Sequence, residues 1–147
     1  MKHSFFLAGF FLLFASVQAQ SPLGKWFHKV AISETVVGKK SDLMEAFYKK
    51  NPCMKSSYYV FQKDKKVLEL APDCPESVFN DFSIGGSTWD TSGRSISITF
   101  HDDTSVAAVY QVQYKYKNTM IWTYTYPNVT KPEAAKSLTM IFNRVLN

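Results

Sequence analysis

From Lys25 onward, apolar and polar positions alternate with a period of two. Trp26, His28, Val30 and Ile32 fall on one face while Lys25, Phe27, Lys29 and Ser33 fall on or near the other, which predicts a first strand. The period then changes. Asp42 opens a short stretch in which Leu43, Met44, Phe47 and Tyr48 recur at helical spacing, with Glu45 three residues after the cap, and Asn51-Pro52 stops it. Two short runs rich in aromatic and branched residues, Ser57 to Gln62 and Lys66 to Leu70, flank the polar tip Lys63-Asp64-Lys65 and read as a hairpin.

An irregular loop through Pro72 and Asn80 leads to Gly85-Gly86, a bend or bulge before Trp89. Asp90 to Gly93 reads as a turn, and Ile96, Ile98 and Phe100 alternate with serine and threonine on a half-buried strand. The longest strand pattern puts Val106, Ala108, Tyr110, Val112, Tyr114 and Tyr116 on one face. Lys117-Asn118 turns the chain into a partner strand bearing Met120, Trp122, Tyr124 and Tyr126. At the end, Thr130 and Glu133 have capping-box spacing, Pro132 suits a first turn, and Leu138, Ile141, Phe142 and Val145 mark one face of a C-terminal helix. The expectation is a mainly β fold: an antiparallel meander of about seven to eight strands, curled toward a barrel to hide its edges, with a short helix after the first strand and a C-terminal helix.

The chain begins differently. Lys2 and His3, an apolar run from Phe5 to Ala15 and the small residues of Val17-Gln18-Ala19 read as a cleaved secretory signal over residues 1–19, leaving one domain over 20–147. The run is too short to span a bilayer, and no cysteine follows the cut to take a lipid anchor. The expected location is the periplasm or the cell exterior, and the expected state is a monomer. In an oxidising compartment the two cysteines, Cys53 and Cys74, default to a disulfide; their neighbours Asn51-Pro52 and Pro72-Asp73 offer no basic group to stabilise a thiolate and no Cys or His spacing of a metal site.

Charge and motif content narrow the chemistry. Lysine and arginine outnumber the acids 17 to 12, but the excess is spread along the chain, which argues for a solvated basic surface and against a nucleic-acid partner. No nucleophile elbow, His-x-x-x-His pair or phosphate loop occurs, so neither catalysis, a metal nor a cofactor is expected. His28 reads as a hydrogen-bonded core or cavity histidine, and His101-Asp102-Asp103 as turn chemistry. The constellation left over is aromatic: Trp26, Phe61, Trp89, Tyr110, Tyr114, Trp122 and Tyr124, at strand spacing, with His28 beside them. Such rows either fill a core or line a small-molecule pocket whose hydroxyl and indole groups orient a ligand.

Gly24-Lys25-Trp26 resembles the Gly-x-Trp opening of lipocalins, whose tryptophan plugs the closed end of the barrel. The middle of the chain is similar to small bacterial lipocalin-like domains: Cys53 before Tyr58-Tyr59-Val60-Phe61, a charged tip at Lys63 to Lys66, Cys74 in the next loop, then Gly86-Ser87-Thr88-Trp89 and the strand from Ser95 to Phe100. The resemblance spans Gly24 to Tyr126 and implies a meandering barrel with a central cavity for a small hydrophobic or amphipathic molecule. Lipocalins often pack an arginine over that tryptophan, and Arg144 is the candidate here; no eighth strand is evident in the pattern. The alternative expectation is an interaction module with a solid interior that meets a protein or envelope partner on its outer surface.

Overall fold

The structure, a computed structural model, describes residues 21–75, 84–100 and 107–146. The leader over residues 1–19, His101-Asp102-Asp103 and Val106 lie outside the described residues. The strands are β1 (Gly24–Thr35), β2 (Lys40–Asp42), β3 (Tyr58–Phe61), β4 (Val67–Leu70), β5 (Thr88–Ser92), β6 (Ser95–Thr99), β7 (Ala107–Lys115), β8 (Thr119–Thr125) and β9 (Ala135–Arg144). Among the described residues a single α-helix, α1 (Leu43–Lys50), and a 3₁₀ turn at Pro52–Ser56 lie between β2 and β3.

Eight strands run in the order β4-β3-β1-β9-β8-β7-β6-β5, and β2 pairs separately with β1. Neighbouring strands along this path are antiparallel. The two ends of the path meet at one bridge, Lys66 with Thr88. Main-chain hydrogen bonds from Val67 to Ser87, Gly86 to Val67 and Trp89 to Lys65, at 2.9, 2.8 and 2.8 Å, extend that seam. The sheet is therefore a nearly closed barrel, which leaves few backbone groups on open edges.

Two expectations are corrected. The C-terminal segment is not a helix but β9, paired with β1 on one side and β8 on the other. Leu138, Met140 and Phe142 point inward and are buried, while Thr139, Ile141 and Asn143 between them are half-buried. That period of two outweighs the helix-like capping signal because a strand here satisfies the hydrogen bonds of both neighbours and supplies the eighth stave of the barrel. Residues Asp90 to Ser92 likewise belong to β5 rather than to a turn, and the reversal occurs at Gly93, whose φ of 59° suits glycine.

The first strand carries a bulge. His28 pairs with Phe142 and Val30 with Ile141, so Lys29 has no partner on β9. The extra residue shifts the inward phase: Ala31 is fully buried, and Val30 and Ile32 are only half-buried, against the unbroken alternation expected through Ile32.

The expected short helix forms as α1. Asp42 Oδ1 accepts from the Met44 and Glu45 amides at 2.9 and 3.4 Å and from the Ala31 amide at 3.4 Å. Beta3 covers β1 only as far as Trp26, and β2 begins its pairing at Ile32. The helix stands beside that gap: Met44 enters the core, and the Tyr48 hydroxyl donates to the His28 carbonyl at 2.6 Å. Cys53 and Cys74 are disulfide-bonded, with Cα atoms 5.1 Å apart, and tie the 3₁₀ turn to the segment after β4. A bridge of this kind fits an oxidising compartment.

Candidate functional site

One part of the barrel interior is built around Trp26. Its ring is fully buried, and its indole nitrogen donates to the Pro22 carbonyl at 2.6 Å. Arg144, at the end of β9, lays its guanidinium 4.4 Å from the centre of the Trp26 ring. Gly24 suits its place through its φ of +112°, which L side chains rarely adopt; a Cβ there would lie in ordinary contact with Arg144 Nη1, at 3.4 Å. Tyr114 closes the group, with its ring centre 6.5 Å from that of Trp26. Burial pushes the Tyr114 hydroxyl up to about 12, against the opposing pull of Arg144.

Beyond this group the aromatic residues meet ring to ring. Phe61 on β3 lies 6.0 Å from Trp89 on β5 and 5.7 Å from Trp122 on β8. Trp122 in turn lies 4.8 Å from Phe142 on β9 and 5.2 Å from Tyr110 on β7. His28 stacks on Phe142 at 4.8 Å and lies 6.1 Å from Tyr59. The network continues through Tyr124, 5.7 Å from Tyr110, to the partly exposed Tyr126, 4.9 Å further on. Burial pushes the Tyr110 hydroxyl up to about 12, helped by the hydroxyls of Tyr126 and Tyr124.

The interior thus gathers Trp26, His28, Phe61, Trp89, Tyr110, Tyr114, Trp122 and Tyr124, with Tyr114 reached through Trp26. It also includes two residues outside the expected set, Tyr59 and Phe142. The signal for Phe142 was present in the alternation of Leu138, Met140 and Phe142, but a helical reading of that segment concealed it. Tyr116, by contrast, leaves the inward row: it sits in the turn after β7 with φ of 58° and is 81% exposed.

Hydrogen bonding separates the polar atoms of this interior into two classes. The Trp26 indole is satisfied, whereas His28 Nε2, Trp89 Nε1, Trp122 Nε1 and Arg144 Nε are buried with no hydrogen-bond partner among the described residues. Buried polar groups are usually paired, and an unpaired one costs about 1–3 kcal/mol. Burial lowers the His28 pKa to about 4, against a smaller rise from a backbone hydrogen bond with Val30 and the charge of Asp42. At neutral pH the ring is uncharged, so its unprotonated nitrogen is an acceptor while the two indoles are donors.

Among the described residues no group of three His, Cys, Asp or Glu side chains is arranged to hold a metal ion, and no helix is long and apolar enough to cross a membrane. A cavity of about 420 Å³ opens on the outer side of the wall, lined by Phe27, His28, Lys29, Tyr48, Lys55 and Asn143. It lies against β1, β9, α1 and the 3₁₀ turn. Comparison with protein-family models, with curated proteins and with solved structures finds no match for this chain. The architecture itself, a nearly closed barrel of eight antiparallel strands, is consistent with a calycin-like fold.

Proposed function

We propose that the protein is an exported, non-catalytic binding domain of lipocalin-like type, which takes a small apolar or amphipathic molecule into the barrel. The observation that carries this reading is the set of buried ring nitrogens on Trp89, Trp122 and His28, which have no hydrogen-bond partner among the described residues and lie within one aromatic network. A guest with an acceptor and a donor would pair with the indole N–H groups and the histidine nitrogen, while its apolar body exchanges water for aromatic surface. The disulfide and the leader sequence support an exported location. A barrel of this kind binds by shape and desolvation, and no bond is made or broken.

The contacts between rings favour a second reading, in which the interior is a solid core and the outer surface meets a protein or envelope partner. One experiment separates the two. Native mass spectrometry of the mature protein from its exporting host, with tryptophan fluorescence against a fatty acid, a sterol and a quinone, is expected to show a non-covalent added mass or saturable quenching. Trp122→Phe, which keeps an aromatic ring but removes the indole donor, is expected to weaken that binding several-fold. A bare mass and no quenching by any of the three would leave the solid-core reading standing.

A further inference from the structure

The outer cavity is chemically unlike the barrel interior. Its walls are Phe27 and Lys29 from the outward face of β1, Asn143 from β9, Tyr48 from α1 and Lys55 from the 3₁₀ turn, with His28 at the bulge. Each element has a reason to be there. Lys29 falls on the outward face by the regular alternation of β1, and the bulge leaves it without a cross-strand partner on β9. Asn143 is the cross-strand partner of Phe27, and its Oδ1 accepts from the Thr119 hydroxyl at 3.4 Å, which leaves the amide nitrogen free to donate into the cleft. Tyr48 is fixed by its hydroxyl bond to the His28 carbonyl, and Lys55 stands two residues from a disulfide-bonded cysteine.

The electrostatics point one way. Lys29 and Lys55 are both exposed, neither forms an ion pair with any described residue, and no carboxylate of the described residues lines the cavity. Lys25 adds a third cation next to it, 5.6 Å from the ring centre of Tyr58, which itself meets Phe27 edge-on at 6.1 Å. Burial, with the charges of Glu69 and Asp42 acting in the same direction, pushes the Tyr48 hydroxyl up to about 12. The Asp42 carboxylate is occupied with the amides that it caps. Two rings therefore form an apolar body, with two ammonium groups and an amide donor around it. The volume of about 420 Å³ falls within the range usual for small-molecule sites, roughly 300–1,000 Å³.

We propose that this cleft is a second binding site, separate from the barrel interior, for a small amphipathic anion: an aromatic or short alkyl body on the faces of Phe27 and Tyr48, with its carboxylate between Lys29 and Lys55. The site is open, so the lysines gain from the carboxylate without the full cost of burying a charge. It stands independently of any interior ligand.

The test uses 2-naphthoate and its uncharged counterpart 2-naphthalenemethanol as probes on the mature, disulfide-intact protein, by titration calorimetry and side-chain NMR shifts. Naphthoate is expected to bind saturably, to shift the Asn143 amide and the Phe27 ring, and to weaken with added salt. Lys29→Gln with Lys55→Gln should reduce its affinity tenfold or more and leave the weak binding of the alcohol unchanged. Phe27→Ala should reduce both. Trp122→Phe should alter neither, which keeps this result apart from the fate of the interior reading. Unchanged naphthoate affinity in the double lysine variant, shifts confined to interior residues, or no saturable binding would overturn the proposal. Lys136→Gln, which removes a cation paired to Glu34 away from the cleft, is the charge control and is expected to have no effect.

Discussion

The barrel interior and the outer cleft share β1 but solve opposite problems. Inside, Phe61, Trp122 and Phe142 are essentially without exposure and Trp122 meets both of the others, so any guest must displace aromatic contacts to reach the unpaired nitrogens. Outside, space is already open and the polar groups face water, so occupation requires no rearrangement. The single strand that serves both does so by its alternation: His28 points inward against Phe142 while Lys29 is presented outward. Side chains on the inner face carry stability and those on the outer face are free to carry recognition, and substitutions on the two faces should therefore behave differently.

The sharpest break in that comparison is expected from Trp122→Ala against Phe27→Ala. Trp122 is fully buried and touches Phe61, Tyr110 and Phe142, so truncation should cost about 3–5 kcal/mol of unfolding free energy by denaturant titration. Phe27 is half-buried on the outer face and should cost about 1 kcal/mol or less. Equal losses would mean that the cleft is part of the core. Replacing Cys53 and Cys74 by serine comes next. The bridge closes a separation of 21 residues, and its loss should cost about 3 kcal/mol by chain entropy and also loosen the turn that carries Lys55. An intact cleft by naphthoate titration in that variant would show that the turn is held by α1 and β3 instead.

Acid should act on the interior through His28. The folded-state pKa of His28, about 4, lies below its ordinary value of 6.5, so the unfolded chain binds the extra proton first. The stability contributed by the uncharged ring is complete above pH 6.5, falls as the pH drops toward 4, and declines no further below that. The loss over this window is up to about 3 kcal/mol at 1.36 kcal/mol per pH unit. Carboxylates titrate nearby, so the measurement is the difference between wild type and His28→Phe across that window. A parallel pair of stability curves would show that His28 is solvated in solution.

Most of the barrel is written in its alternation, and the failures have local causes. In β7 and β8 the inward row of Tyr110, Val112, Tyr114, Met120, Trp122 and Tyr124 follows directly from a period of two, because each strand is regular and half-buried. In β9 the same period was present but shared its segment with Thr130 and Glu133 at capping spacing, and only the empty place between β1 and β8 decides between the two patterns. The Gly-x-Trp step and Arg144 were legible as candidates, yet their union comes from the pairing of Trp26 with Arg144 across β1 and β9. The cleft was not legible at all. It is assembled from β1, β9, α1 and a 3₁₀ turn that are far apart in the chain and meet only in the fold.

The smallest expected effect tests what closes the barrel. Lys65 holds its ammonium 4.3 Å from the centre of the Trp89 ring and 2.9 Å from Asp90 Oδ1, while its carbonyl accepts from the Trp89 amide at 2.8 Å. Both charged side chains of the pair are largely solvated, so salt and water screen the contact. The main-chain bonds of the seam are unaffected by the side chain. Lys65→Ala should therefore move the melting temperature by no more than about 3 °C, in line with the small worth of an exposed pair. A much larger drop, with faster hydrogen exchange at the Trp89 and Val67 amides, would mean that the lysine clamps the seam. The barrel would then open between β4 and β5 when that one side chain lets go, which would give an interior ligand its way in.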